Sequence, residues 1–118
     1  MDSLYQAEII DRSQHPRYAG PVPGATHSSG GLNASCGDVI RWEIRISDGV
    51  VEEIRHQCQA CAICTASADL LAEALTGVPT AALKNVTSEN VLSALGISIS
   101  PVRMKCAMLP LSALLNAV

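Results

Sequence analysis

Three cysteines stand three residues apart in the stretch IRHQCQACAICTAS, at Cys58, Cys61 and Cys64. Two more stand alone, Cys36 in NASCGD and Cys106 in RMKCAM. Thiolate is both a soft metal ligand and a nucleophile, so these residues open metal binding and thiol chemistry together. Cys36 is followed by Gly37 and Asp38, and glycine allows a sharp path on which thiol and carboxylate converge. Taken alone, Cys-Gly-Asp reads more simply as a turn beside a small core residue. Cys61 falls where a strand gives way to a helix, and the positive end of the helix dipole favours thiolate. A buried packing cysteine accounts for it equally well. Cys106 follows Lys105 at an expected helix break, which would expose the thiol. The ammonium next door is then placed either to lower the thiol pKa or simply to face solvent.

Cys58 and Cys64 compete with Cys61 for any role. A helix beginning near Cys61 puts Cys61 and Cys64 on one face. The spacing starts like a bacterial ferredoxin run, but the further cysteine and the Cys-Pro of that run do not follow. Zinc ribbons present two separated cysteine pairs, and here Cys36 and Cys106 are single. Cys58 and Cys64 therefore read as packing or auxiliary thiols. Among the histidines, His56 reads as a strand residue, His27 as a loop residue and His15 as part of a His-Pro turn. No phosphate loop, dinucleotide fingerprint or Gly-x-Ser-x-Gly elbow is found.

The elements that must position these groups are legible in part. Residues 3–13 predict a helix, with Ser3 and Gln6 as a capping box and Leu4, Ala7 and Ile10, with Tyr5, as the apolar stripe. Residues 16–31 are rich in Pro, Gly and Ser and read as a loop. Ile40, Trp42, Ile44 and Ile46 alternate with Val39, Arg41, Glu43 and Arg45, which predicts a strand with one apolar face. Asp48-Gly49 is a hairpin signal. A second strand follows over 50–58 with neither face cleanly apolar. A short strand near 26–34 would complete a three-stranded antiparallel sheet.

Apolar residues at three- and four-residue spacing predict a helix over 62–75, stopped by Gly77 and Pro79. A short helix follows at 79–84. Thr87 caps the next one, with Val86 and Val91 as a hydrophobic staple, and Gly96 ends it. Ser100-Pro101 starts the last segment, and Pro110 predicts a break near 106–109. The fold class is α+β: an N-terminal helix, a three-stranded antiparallel sheet, then a C-terminal group of helices packed on one face.

Composition narrows the function classes. Hydrophobic residues make up 48% of the 118-residue chain, enough for the core of one domain over 1–118. That core is aliphatic, since there is no Phe, one Trp and two Tyr. A net charge of −3 with scattered Lys and Arg argues against nucleic-acid binding. No apolar run reaches the roughly 18 residues of a membrane helix. Acidic residues stand where a secretory signal would be basic, so a cytoplasmic location is expected. Reduced thiols are the rule there, and the odd count of five argues against a disulfide framework.

Four separated stretches together resemble one family, the U-type iron–sulfur cluster scaffolds: IscU, SufU and the NifU N-terminal domain. LYQAEIIDRSQHPRYAG resembles their opening helix and loop, and NASCGD their Asn-Pro-x-Cys-Gly-Asp segment. QACAICTASADLLAEALTG resembles their second cysteine segment, with its Ala-Ser-rich helix and closing glycine. PVRMKCAMLPLSALLNAV resembles the third cysteine segment and terminal helix. The resemblance covers nearly the whole chain, in order, and implies a SufE/IscU-like fold. It implies that Cys36, Asp38, Cys61 and Cys106 form the cluster or zinc site, while Cys58 and Cys64 fall where the family has other residues.

The resemblance further implies a transient 2Fe–2S cluster, and Zn2+ in the isolated protein. A cysteine desulfurase would supply sulfur, with Cys106 as the first candidate persulfide acceptor and Cys61 the second. Apo-iron–sulfur proteins would receive the cluster, with an iron donor and chaperones as further partners. Three departures matter. Lys105 matches SufU-like members, where IscU-like members carry His, yet the long SufU insertion is absent. The Leu-Pro-Pro-Val-Lys chaperone segment of IscU-like proteins reads Ile99-Ser100-Pro101-Val102-Arg103.

Three functions are consistent with these residues. A scaffold would use three soft thiolates and one harder carboxylate to build a cluster and still release it. A SufU-like zinc-dependent sulfurtransferase would hold zinc and accept persulfide sulfur. A small adaptor would use zinc only to hold its fold together.

Overall fold

In the computed structural model, residues 2–118 are described, with side chains from Leu4 onward. The order is α1 (Asp2–Gln14), β1 (His27–Asn33), β2 (Asp38–Ser47), β3 (Val50–Gln59), α2 (Ala62–Leu75), α3 (Thr80–Lys84), α4 (Ser88–Leu95) and α5 (Pro101–Leu115). The strands form one antiparallel sheet in the order β1-β2-β3. Helices cover one of its faces, as the α+β reading expected.

β2 supplies the floor of the core. Ile40, Trp42 and Ile44 are buried while Val39 and Arg41 are exposed, the period-2 pattern of a strand with one face on a core. The turn into β3 is two residues long. Asp48 and Gly49 both have positive φ, 52° and 72°, the twist-matched hairpin geometry.

The mixed pattern of β3 has a cause. Ile46 pairs with Val51 but Arg45 pairs with Glu53, so Glu52 is an extra residue in a bulge. The bulge shifts parity, and Val51, Ile54 and His56 all face inward and are buried. Opposite His56 stands Trp42, edge-on at 5.9 Å between ring centroids.

β1 occupies 27–33, the short strand expected near 26–34, and it takes over the C-terminal end of the 16–31 loop reading. Its composition hides it, because its core-side residues are small. Ser29 Oγ donates to the Ala113 carbonyl of α5. A Cβ on Gly31 would sit 3.0 Å from both Ala113 Cβ and Leu109 Cδ1. The helix lies so close to this strand that only Gly fits.

α1 forms where expected, but the inward stripe is a different one. Leu4, Ala7 and Ile10 are exposed, while Ile9 and Arg12 are buried. Tyr5 lies against Gly96, where a Cβ would collide with its ring. A buried ion pair sets the rotation of the helix: Arg12 Nη1 donates to Asp69 Oδ2 at 3.0 Å, and Nη2 to Glu73 at 2.8 Å. The expected capping box rests on the side chain of Ser3, which lies outside the described residues.

α2 spans the expected residues. α4 is capped by Thr87, whose side chain accepts from the Asn90 N–H while Asn90 answers to the Thr87 N–H. Gly96 ends α4 at φ 69°.

α5 corrects a second expectation. It runs unbroken from Pro101 through Leu115 with Pro110 inside it. Proline removes one backbone bond, but neighbouring elements bond to the carbonyls around it. Trp42 Nε1 donates to the Pro110 carbonyl at 2.9 Å, and Ser67 Oγ to the Ala107 carbonyl at 2.9 Å. No helix among the described residues is long and apolar enough to cross a membrane.

Candidate metal centre

Three distant segments meet at one end of the sheet. Cys36 ends the β1–β2 connection, Asp38 opens β2, Cys61 is the N-cap residue of α2 and Cys106 lies in α5. Gly37 has φ 73°, a conformation side chains rarely adopt, and it lets its two neighbours point into one site. Cys36 Sγ lies 3.1 Å from Asp38 Oδ2 and 3.4 Å from Cys106 Sγ. Ligand atoms of Cys36, Asp38 and Cys106 all fall within 4.8 Å of one another. Cys61 joins through Asp38: its backbone N–H donates to Oδ1 at 2.9 Å, and its Sγ lies 3.6 Å from Oδ2.

Asp38 is therefore the hub. It is 3% exposed, and burial alone would push its carboxyl up. Hydrogen bonds from the Cys36 thiol, the Cys61 backbone and the Cys106 and Cys61 thiols outweigh burial and hold it below its ordinary value. The same carboxylate replaces a missing side-chain cap on α2, since Cys61 makes none of its own.

The donor set fits a tetrahedral metal. Thiolates about 2.3 Å from a tetrahedral Zn2+ stand roughly 3.8 Å apart, close to the 3.4 Å between Cys36 and Cys106, while Cys61 reaches the group through Asp38. Cys36, Asp38, Cys61 and Cys106 would hold it, and a bound metal would supply the positive charge that turns the thiols into thiolates. Cys36, Cys61 and Cys106 line one open pocket with Val102 and Arg103.

Cys106 differs from its expectation. With α5 unbroken, the thiol is buried rather than exposed, and Lys105 is exposed beside it. Burial first, then hydrogen bonds to Asp38, Cys36 and Cys61, push the Cys106 thiol up rather than down. Cys36 is exposed and Cys61 half-buried, so they are the accessible thiols of the group.

Cys58 and Cys64 stand outside this group. Cys64 is fully buried in α2, and burial pushes its thiol up. Cys58 is half-buried, with Sγ 3.4 Å from His56 Nδ1. Burial, with the charges of Asp69 and Asp38, pushes it up to about 12. His56 lies on β3 as expected and is fully buried, with its Nε2 2.9 Å from Asp69 Oδ1. His27 bonds Thr26 in the first strand's approach, and His15 is exposed.

Asp69 was not legible as a functional residue. It looks like one polar position on an Ala-rich helix, and nothing local in the sequence marks Arg12 as its partner. In the structure it is fully buried. It accepts from Arg12, from the backbone N–H groups of Arg17 and Tyr18, and lies against His56. Burial would push its carboxyl up, but these bonds hold it down at about 2.

Comparison with known proteins agrees with this architecture. The family described as the NifU-like N terminal domain matches residues 4–118. The bifunctional protein NifU/MnmA of Rubrobacter xylanophilus is 30% identical over 99% of this chain and 24% of its own length. The iron–sulfur cluster assembly scaffold protein IscU of Thermotoga maritima is 34% identical over 63% of this chain and 52% of its own. The chain thus spans about a quarter of the first relative and the match about half of the second. In fold, the chain is similar to the crystal structure of FiSufU from Fervidobacterium islandicum AW-1. That likeness has a TM-score of 0.80 at 22% identity and covers 93% of each chain.

Proposed function

Because the chain belongs to the family of NifU-like N-terminal domains, we propose that it is an iron–sulfur cluster assembly scaffold. Its cargo is a labile 2Fe–2S cluster held by Cys36, Asp38, Cys61 and Cys106. The observation that carries this reading is the convergence of three thiols from three segments on one buried carboxylate. Thiolates suit cluster iron, and the single oxygen donor is the harder and weaker ligand. A site that must release its cargo gains from one weak bond.

Sulfur arrives as a persulfide from a cysteine desulfurase. A scaffold thiolate attacks the outer sulfur and the donor leaves as a thiol. Cys106 and Cys61 are the candidate acceptors, and accessibility favours Cys61 in the metal-free site. Apo-iron–sulfur proteins then take the finished cluster. Metal binding orders the Cys36 segment, as small metal sites couple binding to folding.

Lys105 favours a second reading, in which the chain is a zinc-dependent sulfurtransferase of the SufU kind. One experiment separates the two: anaerobic reconstitution with a desulfurase, ferrous iron and cysteine, followed by visible absorption, labile sulfide and zinc content. A scaffold develops a sulfide-containing chromophore and passes it to apo-ferredoxin. A sulfurtransferase retains zinc, accelerates the desulfurase and yields no transferable cluster.

A further inference from the structure

While Cys36, Cys61 and Cys106 hold a metal, adding sulfur to any one of them disturbs the ligand set. A thiol outside the site takes up sulfur while the metal stays in place. Cys64 is fully buried. Cys58 is half-buried and borders an open pocket of about 440 Å3, together with Gly20, Arg41 and Gln57.

Burial and the charges of Asp69 and Asp38 push the free Cys58 thiol up, so it attacks only with a base beside it, and the structure places one there. Its Sγ is 3.4 Å from His56 Nδ1, and the far ring nitrogen, Nε2, is 2.9 Å from Asp69 Oδ1. Asp69 is fully buried and accepts from Arg12 and from two backbone N–H groups, which keeps it ionised. A carboxylate only accepts, so His56 Nε2 must carry the proton. In the neutral ring Nδ1 is then a lone pair turned toward the thiol. The order is nucleophile, base and orienting carboxylate, supplied by β3 and α2.

We propose that Cys58 is a second sulfur-accepting thiol, with His56 as its base and Asp69 as the residue that positions the base. Its substrate is the sulfane sulfur of an organic persulfide, R–S–SH. His56 Nδ1 takes the Cys58 proton as Cys58 sulfur attacks the outer sulfur of the donor. The S–S bond of the donor breaks, a new S–S bond forms on Cys58, and R–S⁻ leaves and takes the proton back from His56. The products are Cys58–S–SH and R–SH, with no net oxidant or reductant. The proposal rests on the scaffold reading in one respect, that Cys36, Cys61 and Cys106 are occupied by metal when Cys58 acts.

The test uses the full chain loaded with one equivalent of zinc and exposed to glutathione persulfide. Trapping with an alkylating agent and peptide mass spectrometry then locate the added sulfur. The expected result is a persulfide on Cys58, lost in Cys58→Ser. His56→Gln, with zinc stoichiometry and circular dichroism unchanged, should slow its formation about 100-fold, the low end of general-base contributions. Persulfide found only on the other cysteines, or unaltered labelling of Cys58 in His56→Gln, overturns the proposal. If His56→Gln does not fold, the wild type and Cys58→Ser decide by the site of labelling alone.

Reconstitution of the wild type with ferrous iron and inorganic sulfide, run in parallel, separates the two readings. A cluster with no label on Cys58 defeats the Cys58 proposal and leaves the scaffold standing. A labelled Cys58 with no cluster supports the thiol site and defeats the scaffold.

Discussion

Asp69→Asn removes one charge from the centre of a buried network while keeping its shape. In the folded chain the carboxyl titrates at about 2 against an ordinary 3.8. That gap corresponds to roughly 2–3 kcal/mol of stability at neutral pH. The sign follows from the direction: a carboxyl that titrates lower when folded stabilises above its unfolded value, and the gain is lost as pH falls through the folded one. Asparagine cannot titrate, so the wild type should exceed the variant by roughly 2–3 kcal/mol at pH 7. By pH 3 the difference should have shrunk to about half.

Arg12 keeps Glu73 at 2.8 Å in the variant, so its charge is not left unpaired. Asp11, Asp38 and Glu53 are also held below their ordinary values, but both proteins share them and they cancel in the difference. Urea unfolding of metal-free protein in chelator, followed by circular dichroism from pH 7 down to pH 3, measures this difference. A gap between the two proteins that does not change with pH refutes the account of the network.

Asp38→Ala should act in two directions at once. Loss of the acceptor for the Cys61 N–H costs the metal-free fold about 1 kcal/mol in urea unfolding, the value of a helix cap. A reconstituted cluster should nevertheless survive longer in chelator, since the weak ligand is gone; faster decay would contradict this. Gly31→Val forces two further carbons beyond a Cβ already 3.0 Å from Ala113 and Leu109, and thermal unfolding should report a loss of about 1–3 kcal/mol. Trp42→Phe leaves the Pro110 carbonyl without its 2.9 Å donor and should cost about 1–3 kcal/mol in the same assay.

Much of the fold was legible because its signals are local. The alternation in β2, the Asp48-Gly49 turn, the three- and four-residue spacing of α2 and the Thr87 cap all act within a few residues. What stayed hidden depends on partners far along the chain. β1 was legible as a short strand but carries a loop-like composition, because α5 presses on it and selects Ser and Gly. α5 continues through Pro110 while packed on the core, where Trp42 and Ser67, far away in sequence, bond to the Pro110 and Ala107 carbonyls. α1 turns an unexpected face inward because Asp69 captures Arg12.

The site divides in the same way. Gly37 between Cys36 and Asp38 and the helix start at Cys61 are local features, and the side chains of Cys36, Asp38 and Cys61 do lie close together. The burial of Cys106 and the alignment of Cys58, His56 and Asp69 arise only when β3, α2 and α5 are packed.

X-ray absorption at the zinc edge of the zinc-loaded protein tests the central claim most directly. Three sulfurs at about 2.3 Å and one oxygen at about 2.0–2.2 Å are predicted, with the oxygen lost from the shell as Asp38 in Asp38→Ala. Four sulfurs in the wild type would mean that Cys58 or Cys64 displaces the carboxylate, and two or fewer would mean that the distant thiols do not share an ion. Either result contradicts the account.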